Sequence, residues 1–232
     1  MCERMVNSET VILLFSRLPE EEAIHKRLSI DGMENLKIWN TLDHHITKVA
    51  SSTGLPYIKF NENFQQGNTF GERITNAISK VFLLGFTNII LVGGDCPDLN
   101  KSHFLTTRQA FLNGNEIIVG PDRRGGIYLL GISRNAFNKE LFLKFDWQTR
   151  DLYTGIKAYA LSFRHKFLSF LRDVNVLGDA IILNNEKFEK FSPFLLLTCT
   201  INIFFEGVFT YIKSLLPITN IALRAPPAIS LL

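Results

Sequence analysis

The sequence has few cysteines and little excess of charge of either sign. Each of these two features excludes a class of protein. Its 232 residues include 3 cysteines, which are odd in number and widely separated, so we expect neither a disulfide framework nor a zinc site. The formal net charge is +3, which is too small to indicate a nucleic-acid-binding surface. These shortages favour a protein of the cytoplasm, where thiols stay reduced, without a nucleic-acid partner.

The signature loops of several nucleotide-binding and hydrolytic folds are also absent from the sequence. It contains no G-x-x-x-x-G-K-[ST] loop, no G-x-G-x-x-G after a predicted strand and no G-x-S-x-G elbow. The 5 histidines show no metal-ligand spacing, and residues 1–10 are polar, so we expect no secretory signal there. P-loop ATPases, Rossmann dehydrogenases and serine hydrolases are therefore disfavoured.

What the sequence does contain is an alternation of short apolar runs with helix-favouring segments. The apolar runs predict strands in residues 10–16, 56–60, 88–93, 116–120 and 127–132. Helices are predicted in residues 19–28, 33–50, 72–84, 101–112, 135–144 and 150–161. Strands of this apolar kind are typical of a mostly parallel sheet that is covered by helices on both faces. The pattern therefore predicts one α/β domain over residues 9–190.

Residues 191–232 are predicted to form an apolar extension of this domain. Between residues 194 and 212 the single charged residue is Glu206. Asn202, Gly207 and several threonines interrupt the apolar character, so we expect a helix that packs on the domain rather than one that spans a membrane. Contact of residues 194–212 with a membrane surface is the alternative interpretation.

An acidic turn follows the clearest strand of the sequence. The turn reads Gly93-Gly94-Asp95-Cys96-Pro97-Asp98. In open α/β sheets, ligands bind beyond the carboxyl ends of the strands, and Mg²⁺ is commonly held by one or two carboxylates plus substrate phosphates. Asp95 and Asp98 therefore suit a nucleotide–metal complex. The alternative is that Asp95 merely ends the strand and Asp98 caps the helix that follows.

Basic residues and a glycine-bearing loop fall at the same expected edge of the sheet. Arg17, Lys26 and Arg27 follow the first strand, where their side chains suit nucleotide phosphates. The alternative is that they are ordinary surface charges of a helix. Residues 66–73 form a loop that opens a helix, and the free N–H groups of such a loop suit an anion.

Three further interpretations concern single residues. Cys96 lies between two acids, which disfavour a thiolate, so we expect a buried structural thiol rather than a nucleophile. Thr149 precedes a predicted helix and is a candidate N-cap. Trp147 is a candidate core residue or a wall of the substrate site.

Four motifs in order along the chain resemble one family. They are Gln66-Gly67…Phe70-Gly71-Glu72-Arg73, Gly94-Asp95-Cys96-Pro97-Asp98-Leu99, Gly120-Pro121…Gly125-Gly126-Ile127-Tyr128-Leu129-Leu130-Gly131 and Trp147-Gln148-Thr149. Together they resemble the GT-A-like family of radical-SAM/selenodomain-associated transferases. That family is similar in fold to the molybdenum-cofactor guanylyltransferases and the phospholactate guanylyltransferases. The resemblance covers residues 11–179.

The resemblance implies a fold, ligands and site residues. It implies a three-layer, Rossmann-like GT-A fold, a nucleotide or sugar-nucleotide donor, a small-molecule acceptor and Mg²⁺ or Mn²⁺. Asp95 and Asp98 match the catalytic acids, and Asp95 also matches the metal-associated aspartate. On the nucleotide side the resemblance implies Lys26, Arg27, Gln66, Gly67 and Arg73. Arg17, from its place after the first strand, and Arg124, from its charge, are added to these candidates. Those implied on the substrate side are Tyr128, Trp147 and Thr149.

The sequence departs from the family pattern in the first loop, where residues 19–28 lack the family glycine and carry three added acids, and at two later positions. Arg124 stands where the family has an aspartate before Gly125-Gly126, and its guanidinium reverses the local charge and suits direct contact with phosphate. Asn175 stands within a late acidic motif, where its side-chain carbonyl oxygen is a candidate metal ligand without charge.

Two functions of different classes follow from these patterns. The first is a metal-dependent transferase that carries out glycosyl or nucleotidyl transfer. The second is a degenerate homologue that binds a nucleotide or a protein partner without turnover. Arg124 and the weakened late motif favour the second function. The retained Asp95, Asp98, Gln66 and Arg73 favour the first, which is our interpretation.

Overall fold

A computed structural model describes residues 9–177 and 179 of the chain. The strands are β1 (Thr10–Phe15), β2 (Tyr57–Phe60), β3 (Asn88–Val92), β4 (Ile117–Pro121), β5 (Ile127–Ser133) and β6 (His165–Phe167). The helices are α1 (Pro19–His25), α2 (Gly32–Ser52), α3 (Phe70–Leu83), α4 (Lys101–Leu112), α5 (Lys139–Lys144) and α6 (Leu152–Ala160).

The strands form one sheet in the order β2-β1-β3-β5-β4-β6. β1 pairs in parallel with both β2 and β3, and β6 pairs in parallel with β4. β5 is antiparallel to both of its neighbours, because a tight turn over residues 122–126 joins it directly to β4. One edge of the sheet therefore gathers the carboxyl ends of the parallel strands together with the start of β5.

Helices cover both faces of the sheet. In β1, Val11, Leu13 and Phe15 face the cluster formed with α3, α5 and α6, whereas Ile12 and Leu14 face the cluster formed with α2 and α4. Every residue of β1 is buried, as expected for a strand inside a three-layer domain. The α/β fold class predicted from the sequence is confirmed.

The predicted elements differ from the observed ones mainly at their boundaries. α5 begins at Lys139 rather than near residue 135, because the Asn138 side chain accepts the Leu141 N–H and caps the helix there. α6 begins at Leu152, so Thr149 is not its N-cap. β6 was not predicted, since its three residues alternate in burial at a sheet edge and carry no apolar run.

Membrane contact concerns a part of the chain beyond these elements. None of the helices within the described residues is both long and apolar enough to cross a membrane. The extension predicted over residues 191–232, with its apolar stretch 194–212, lies outside the described residues. Its packing on the domain stays a prediction.

Candidate functional site

A cavity of about 730 Å³ opens at the edge where the parallel strands end. The segment after β1 contributes Ser16 to its wall, the segment after β3 contributes residues 93–95, and the β4–β5 turn contributes Asp122. The segment that follows β6 closes one side through Asp173 and Asn175. The cavity thus lies where ligands bind in open α/β sheets.

Most of the residues that the sequence proposes for the site line this cavity. They are Arg17, Lys26, Arg73, Asp95, Arg124, Tyr128, Trp147, Thr149 and Asn175. Four proposed residues lie outside its lining, namely Arg27, Gln66, Gly67 and Asp98.

Local structure explains where three of these four residues lie. Arg27 borders a separate hollow between α1 and α2. Gln66 is exposed, and the neighbouring Gln65 lines the cavity instead, with its side-chain amide donating to the backbone carbonyls of Ser16 and Phe60. Asn100, rather than Asp98, caps α4 by accepting the Ser102 N–H.

The wall of the cavity holds an ammonium group between two oxygens. Lys26 Nζ donates to Asp95 Oδ2 at 2.7 Å and to Asn175 Oδ1 at 2.9 Å. Burial by itself lowers the pKa of Lys26, but the charges of Asp95 and Glu22 outweigh it and raise the pKa above the ordinary lysine value. Lys26 is therefore a fixed positive charge at neutral pH.

The backbone around Lys26 is held from two sides. Its carbonyl accepts hydrogen bonds from Asn35 Nδ2 at 3.1 Å and from Trp39 Nε1 at 3.0 Å. The ammonium lies 5.7 Å from the centre of the Trp39 ring, within cation–π range. On the other side, the Val174 N–H donates to the Asp95 carbonyl at 2.8 Å, which fixes Asn175 relative to Asp95.

Two buried carboxylates of the cavity were missed by the sequence interpretation. Asp122 accepts the N–H groups of Arg124 at 2.5 Å and Gly126 at 3.0 Å, so it holds the β4–β5 turn closed. Asp173 is 7% exposed, and its Oδ1 has no hydrogen-bond partner among the described residues. Burial, followed by the charges of Asp95 and Asp122, raises the pKa of Asp173 to about 8.

A signal for these two acids was present in the sequence. Asp122 lies two residues before the position at which the family aspartate was sought. Asp173 is the first acid of the same late motif that contains Asn175. A perturbed carboxyl group in a cleft is typical of functional sites.

The β4–β5 turn carries Arg124, whose guanidinium is bound to Asp179. Arg124 donates through both terminal nitrogens, to Asp179 Oδ2 at 2.7 Å and to Oδ1 at 2.5 Å. Asp179 also accepts the backbone N–H groups of Asn175 and Val176. Although burial raises the pKa of Asp179, the Arg124 hydrogen bonds outweigh it and lower the pKa below the ordinary value.

The other cations of the cavity fall into two groups. Arg17 lies 3.5 Å from the Glu22 carboxylate. Arg73 and Arg150, by contrast, have no carboxylate partner within residues 9–177 and 179. Arg73 donates to the Asn68 carbonyl at 3.5 Å and lies in the first turn of α3, which begins at a capping box. Among the described residues, these two guanidiniums line the cavity without a carboxylate and are available to an anion.

The polar hydrogens of the proposed substrate-side residues are all donated to backbone carbonyls. The Tyr128 hydroxyl donates to the Ser169 carbonyl, and the indole N–H of Trp147 donates to the Phe142 carbonyl at 2.7 Å. Thr149 donates to the Asp146 carbonyl. Gln148 between them has a φ of 62°, which is uncommon for a residue with a side chain.

Cys96 is buried beneath the turn that carries Asp95. It is 5% exposed, and burial, followed by the charges of Asp173 and Asp95, raises the pKa of its thiol. Such a thiol stays protonated. The prediction of a buried cysteine is therefore confirmed.

The residues proposed as metal ligands do not fit a metal ion as the structure arranges them. Asp95 Oδ2 and Asn175 Oδ1 both accept from the Lys26 ammonium. Within the part of the chain that the structure describes, no group of three or more His, Cys, Asp and Glu side chains is placed to hold a metal ion. In this arrangement the two oxygens bind the Lys26 ammonium.

Comparison with solved structures defines the class of fold. A protein from Desulfovibrio desulfuricans G20, provisionally described as a nucleotide-diphospho-sugar transferase, is 20% identical, with a TM-score of 0.63 over 77% of this chain and 89% of that one. A cytidylyltransferase from Leptospira borgpetersenii serovar Hardjo-bovis is 14% identical, with a TM-score of 0.42 over 84% and 95% of the two chains. Rv0371c from Mycobacterium tuberculosis H37Rv, in complex with manganese, is 12% identical, with a TM-score of 0.41 over 76% and 98%.

The first of these similarities establishes the fold, and the other two are too weak to add to it. The chain shares the three-layer, GT-A-like α/β fold of the Desulfovibrio protein. A family profile described as "Uncharacterized protein conserved in bacteria (DUF2064)" matches residues 35–149, just under half of the chain. None of the curated proteins compared with the chain matches it.

Proposed function

We propose that this protein is a transferase that binds a nucleoside triphosphate or a sugar nucleotide in the edge cavity and transfers a nucleotidyl or glycosyl group. The observation that carries the proposal is the pair Arg73 and Arg150, two guanidiniums without a carboxylate partner among the described residues, on a cavity at the ligand-binding edge of a GT-A sheet. Arg is suited to phosphate because its planar fork donates two hydrogen bonds at once.

The size and walls of the cavity support a nucleotide-sized ligand. Its volume of about 730 Å³ lies within the range of small-molecule sites. Phe70 and Trp147 provide aromatic surface beside Arg73, so a base or sugar has an apolar wall next to the phosphate-binding side. The acceptor is a small molecule that approaches the same cavity.

The finer assignments also belong to this proposal. The resemblance to radical-SAM/selenodomain-associated transferases and to guanylyltransferases supports a nucleotide donor. Mg²⁺ or Mn²⁺ is expected from the same resemblance, but Asp95 and Asn175 are bound to Lys26 and do not fit it. In this arrangement Asp95 orients Lys26 rather than a metal, and the buried carboxyl group of Asp173 lies where it can exchange a proton with an acceptor.

Binding measurements test the proposal. The four ribonucleoside triphosphates, UDP-glucose and GDP-mannose are screened by thermal shift, and each hit is measured by calorimetry. We expect Arg73→Ala to weaken binding by about tenfold, because a charge-assisted hydrogen bond contributes about 1.5–3 kcal/mol. Arg108→Ala is the control, since Arg108 is exposed on α4 and away from the cavity lining. Wild-type protein that binds none of these ligands would refute the proposal.

A second candidate is a homologue that binds a nucleotide without turnover. The observation that favours it is the Arg124–Asp179 pair, which puts a bound cation where the family pattern has an acid. Release of pyrophosphate or nucleoside diphosphate from a bound donor distinguishes the two. Slow release that Asp173→Asn abolishes supports the transferase, whereas binding with no release supports the second candidate.

A further inference from the structure

We propose that the Lys26 ammonium is the resident cation of this site and that phosphates bind beside it without a divalent metal. The inference rests on the proposed function for its ligand, a nucleotide, but the placement of Lys26 stands on its own contacts. It replaces the expectation of a metal at Asp95 and Asn175 with a residue of the chain itself.

The two oxygens proposed as metal ligands already accept hydrogen bonds from the Lys26 ammonium. Lys26 Nζ lies 2.7 Å from Asp95 Oδ2 and 2.9 Å from Asn175 Oδ1. Mg²⁺ binds its oxygens at about 2.0–2.1 Å. A metal ion shared by the same two oxygens would therefore lie almost on top of the ammonium, and two positive charges at such a separation repel strongly. The ammonium and a metal ion exclude each other here.

Contacts with Asn35 and Trp39 hold Lys26 in place. Hydrogen bonds from Asn35 and Trp39 anchor its backbone carbonyl, and its ammonium lies over the Trp39 ring. Its side chain is 27% exposed, so the group is partly withdrawn from water yet open to the cavity. Displacing it would leave the Asp95 carboxylate unpaired beside the buried Asp173.

The Lys26 ammonium keeps one N–H donor that neither Asp95 nor Asn175 accepts. A lysine ammonium has three N–H donors, and Asp95 and Asn175 accept two of them. The third donor is available to an oxygen of a ligand in the cavity. Together with Arg73 and Arg150, it supplies positive charge that a di- or triphosphate would otherwise take from a metal ion.

A manganese titration tests the inference on the protein alone. Free Mn²⁺ is followed by electron paramagnetic resonance as it is added to wild type, Lys26→Met, Asp95→Asn and Lys59→Met. Lys59 is a matched control, because its pair with Asp43 is as exposed as the Lys26–Asp95 pair, at 27% and 24% against 27% and 25%. We expect wild type and Lys59→Met to take up no Mn²⁺ at micromolar concentrations, and Lys26→Met, whose Asp95 and Asn175 oxygens are freed, to bind Mn²⁺ more tightly than either. Uptake of one Mn²⁺ by wild type that Asp95→Asn abolishes would overturn the inference.

Calorimetry with ribonucleoside triphosphates tests it a second way. The wild-type affinity should be the same in EDTA as in MgCl₂ to within about twofold, and Lys26→Met should lower the EDTA affinity about tenfold, as expected from losing a charge-assisted hydrogen bond. A tenfold gain of wild-type affinity with MgCl₂, or an unchanged Lys26→Met affinity, would overturn the inference. If wild type binds no triphosphate in either buffer, the proposed function fails, and the manganese titration still decides the role of Lys26.

Discussion

The two turns that close the cavity both pair a cation with a carboxylate, but they assemble the pair in opposite ways. At the β3 end, the turn supplies the acid, Asp95, and the cation arrives from the end of α1. At the β4–β5 turn, the turn supplies the cation, Arg124, and the acid arrives from Asp179. In each case the charge of the turn is already balanced before a ligand enters.

The difference lies in how much of each pair stays open. Lys26 and Asp95 are 27% and 25% exposed, so both partners face the cavity. Arg124 is 43% exposed, whereas Asp179 is 8% exposed and also holds two backbone N–H groups. The β3 pair is therefore placed to meet a ligand, and the β4–β5 pair is placed mainly to fix the segment that closes the cavity.

The most disruptive change to this comparison is a side chain at Gly125. Gly125 has a φ of +92°, and its added Cβ would collide with the backbone carbonyl of Arg150. We expect Gly125→Ala to lower the free energy of unfolding by at least about 2 kcal/mol, as left-handed strain and a backbone clash combine. Gly85→Ala is the control, because Gly85 has a φ of +101° with no atom near its Cβ. Equal losses in urea unfolding would contradict this explanation.

Asp173 lies between the two turns, and its protonation links them to pH. Its pKa of about 8 in the folded protein exceeds the unfolded value of 3.8, so the folded state keeps a proton that the unfolded chain releases. Stability should therefore fall as pH rises from about 4 to about 8. We expect Asp173→Asn to flatten this fall by at least about 1.4 kcal/mol, the equivalent of one pKa unit. Melting curves of the two proteins at pH 5 to 9 that run parallel would contradict it.

Removing Asp179 tests the β4–β5 pair alone. Its pKa is lowered in the folded state, so its stabilisation is present above about pH 4 and is lost as pH falls through the folded pKa. We expect Asp179→Asn to lower the free energy of unfolding by about 1 kcal/mol at pH 7, because Arg124 is largely exposed and solvent screens its loss. Urea unfolding at pH 7 and pH 3 measures the difference.

The matching control for Asp179 is Asp151, the N-cap residue directly before α6. Asp151 is exposed and makes no side-chain capping hydrogen bond, so Asp151→Asn should leave stability nearly unchanged at both pH values. A loss in Asp151→Asn equal to that in Asp179→Asn would mean that general surface charge, rather than the bond to Arg124, explains the result.

The smallest expected effect belongs to Arg27, next in sequence to Lys26. Its side chain borders the hollow between α1 and α2 and lies outside the cavity lining. We expect Arg27→Ala to change triphosphate affinity by less than about twofold, since an exposed charge outside the site is largely screened. A tenfold loss in calorimetry would restore Arg27 to the phosphate-binding set and weaken the role given to Lys26.

The sequence predicted the fold and the edge of the sheet at which the cavity opens, because those depend on local patterns. The apolar run of β3 and the Gly93-Gly94-Asp95 turn locate Asp95 by themselves. The direction of β5 could not be predicted in this way. A strand buried on both faces has the same apolar pattern whichever way it runs.

The pairing of side chains was beyond the sequence for a different reason. Lys26 and Asn175 were assigned to phosphate and to metal, and the structure binds them to each other although they are 149 positions apart. Arg124 and Asp179 likewise meet across 55 positions. Such pairs depend on side-chain rotamers and on the path of the chain after β6, which single-sequence periodicity does not contain.

The contact between Lys26, Asp95 and Asn175 also has a consequence for the order in which the protein folds. Closing loops of 69 and 149 residues is entropically unfavourable until the strands between them are in place. During synthesis, the first three strands emerge well before residue 175, so they can pair while Asp95 and Lys26 still lack the third member of the cluster. The cavity is therefore completed after these strands have paired. Until the segment after β6 docks, the cavity of a nascent chain lacks the wall that contains Asp173 and Asn175.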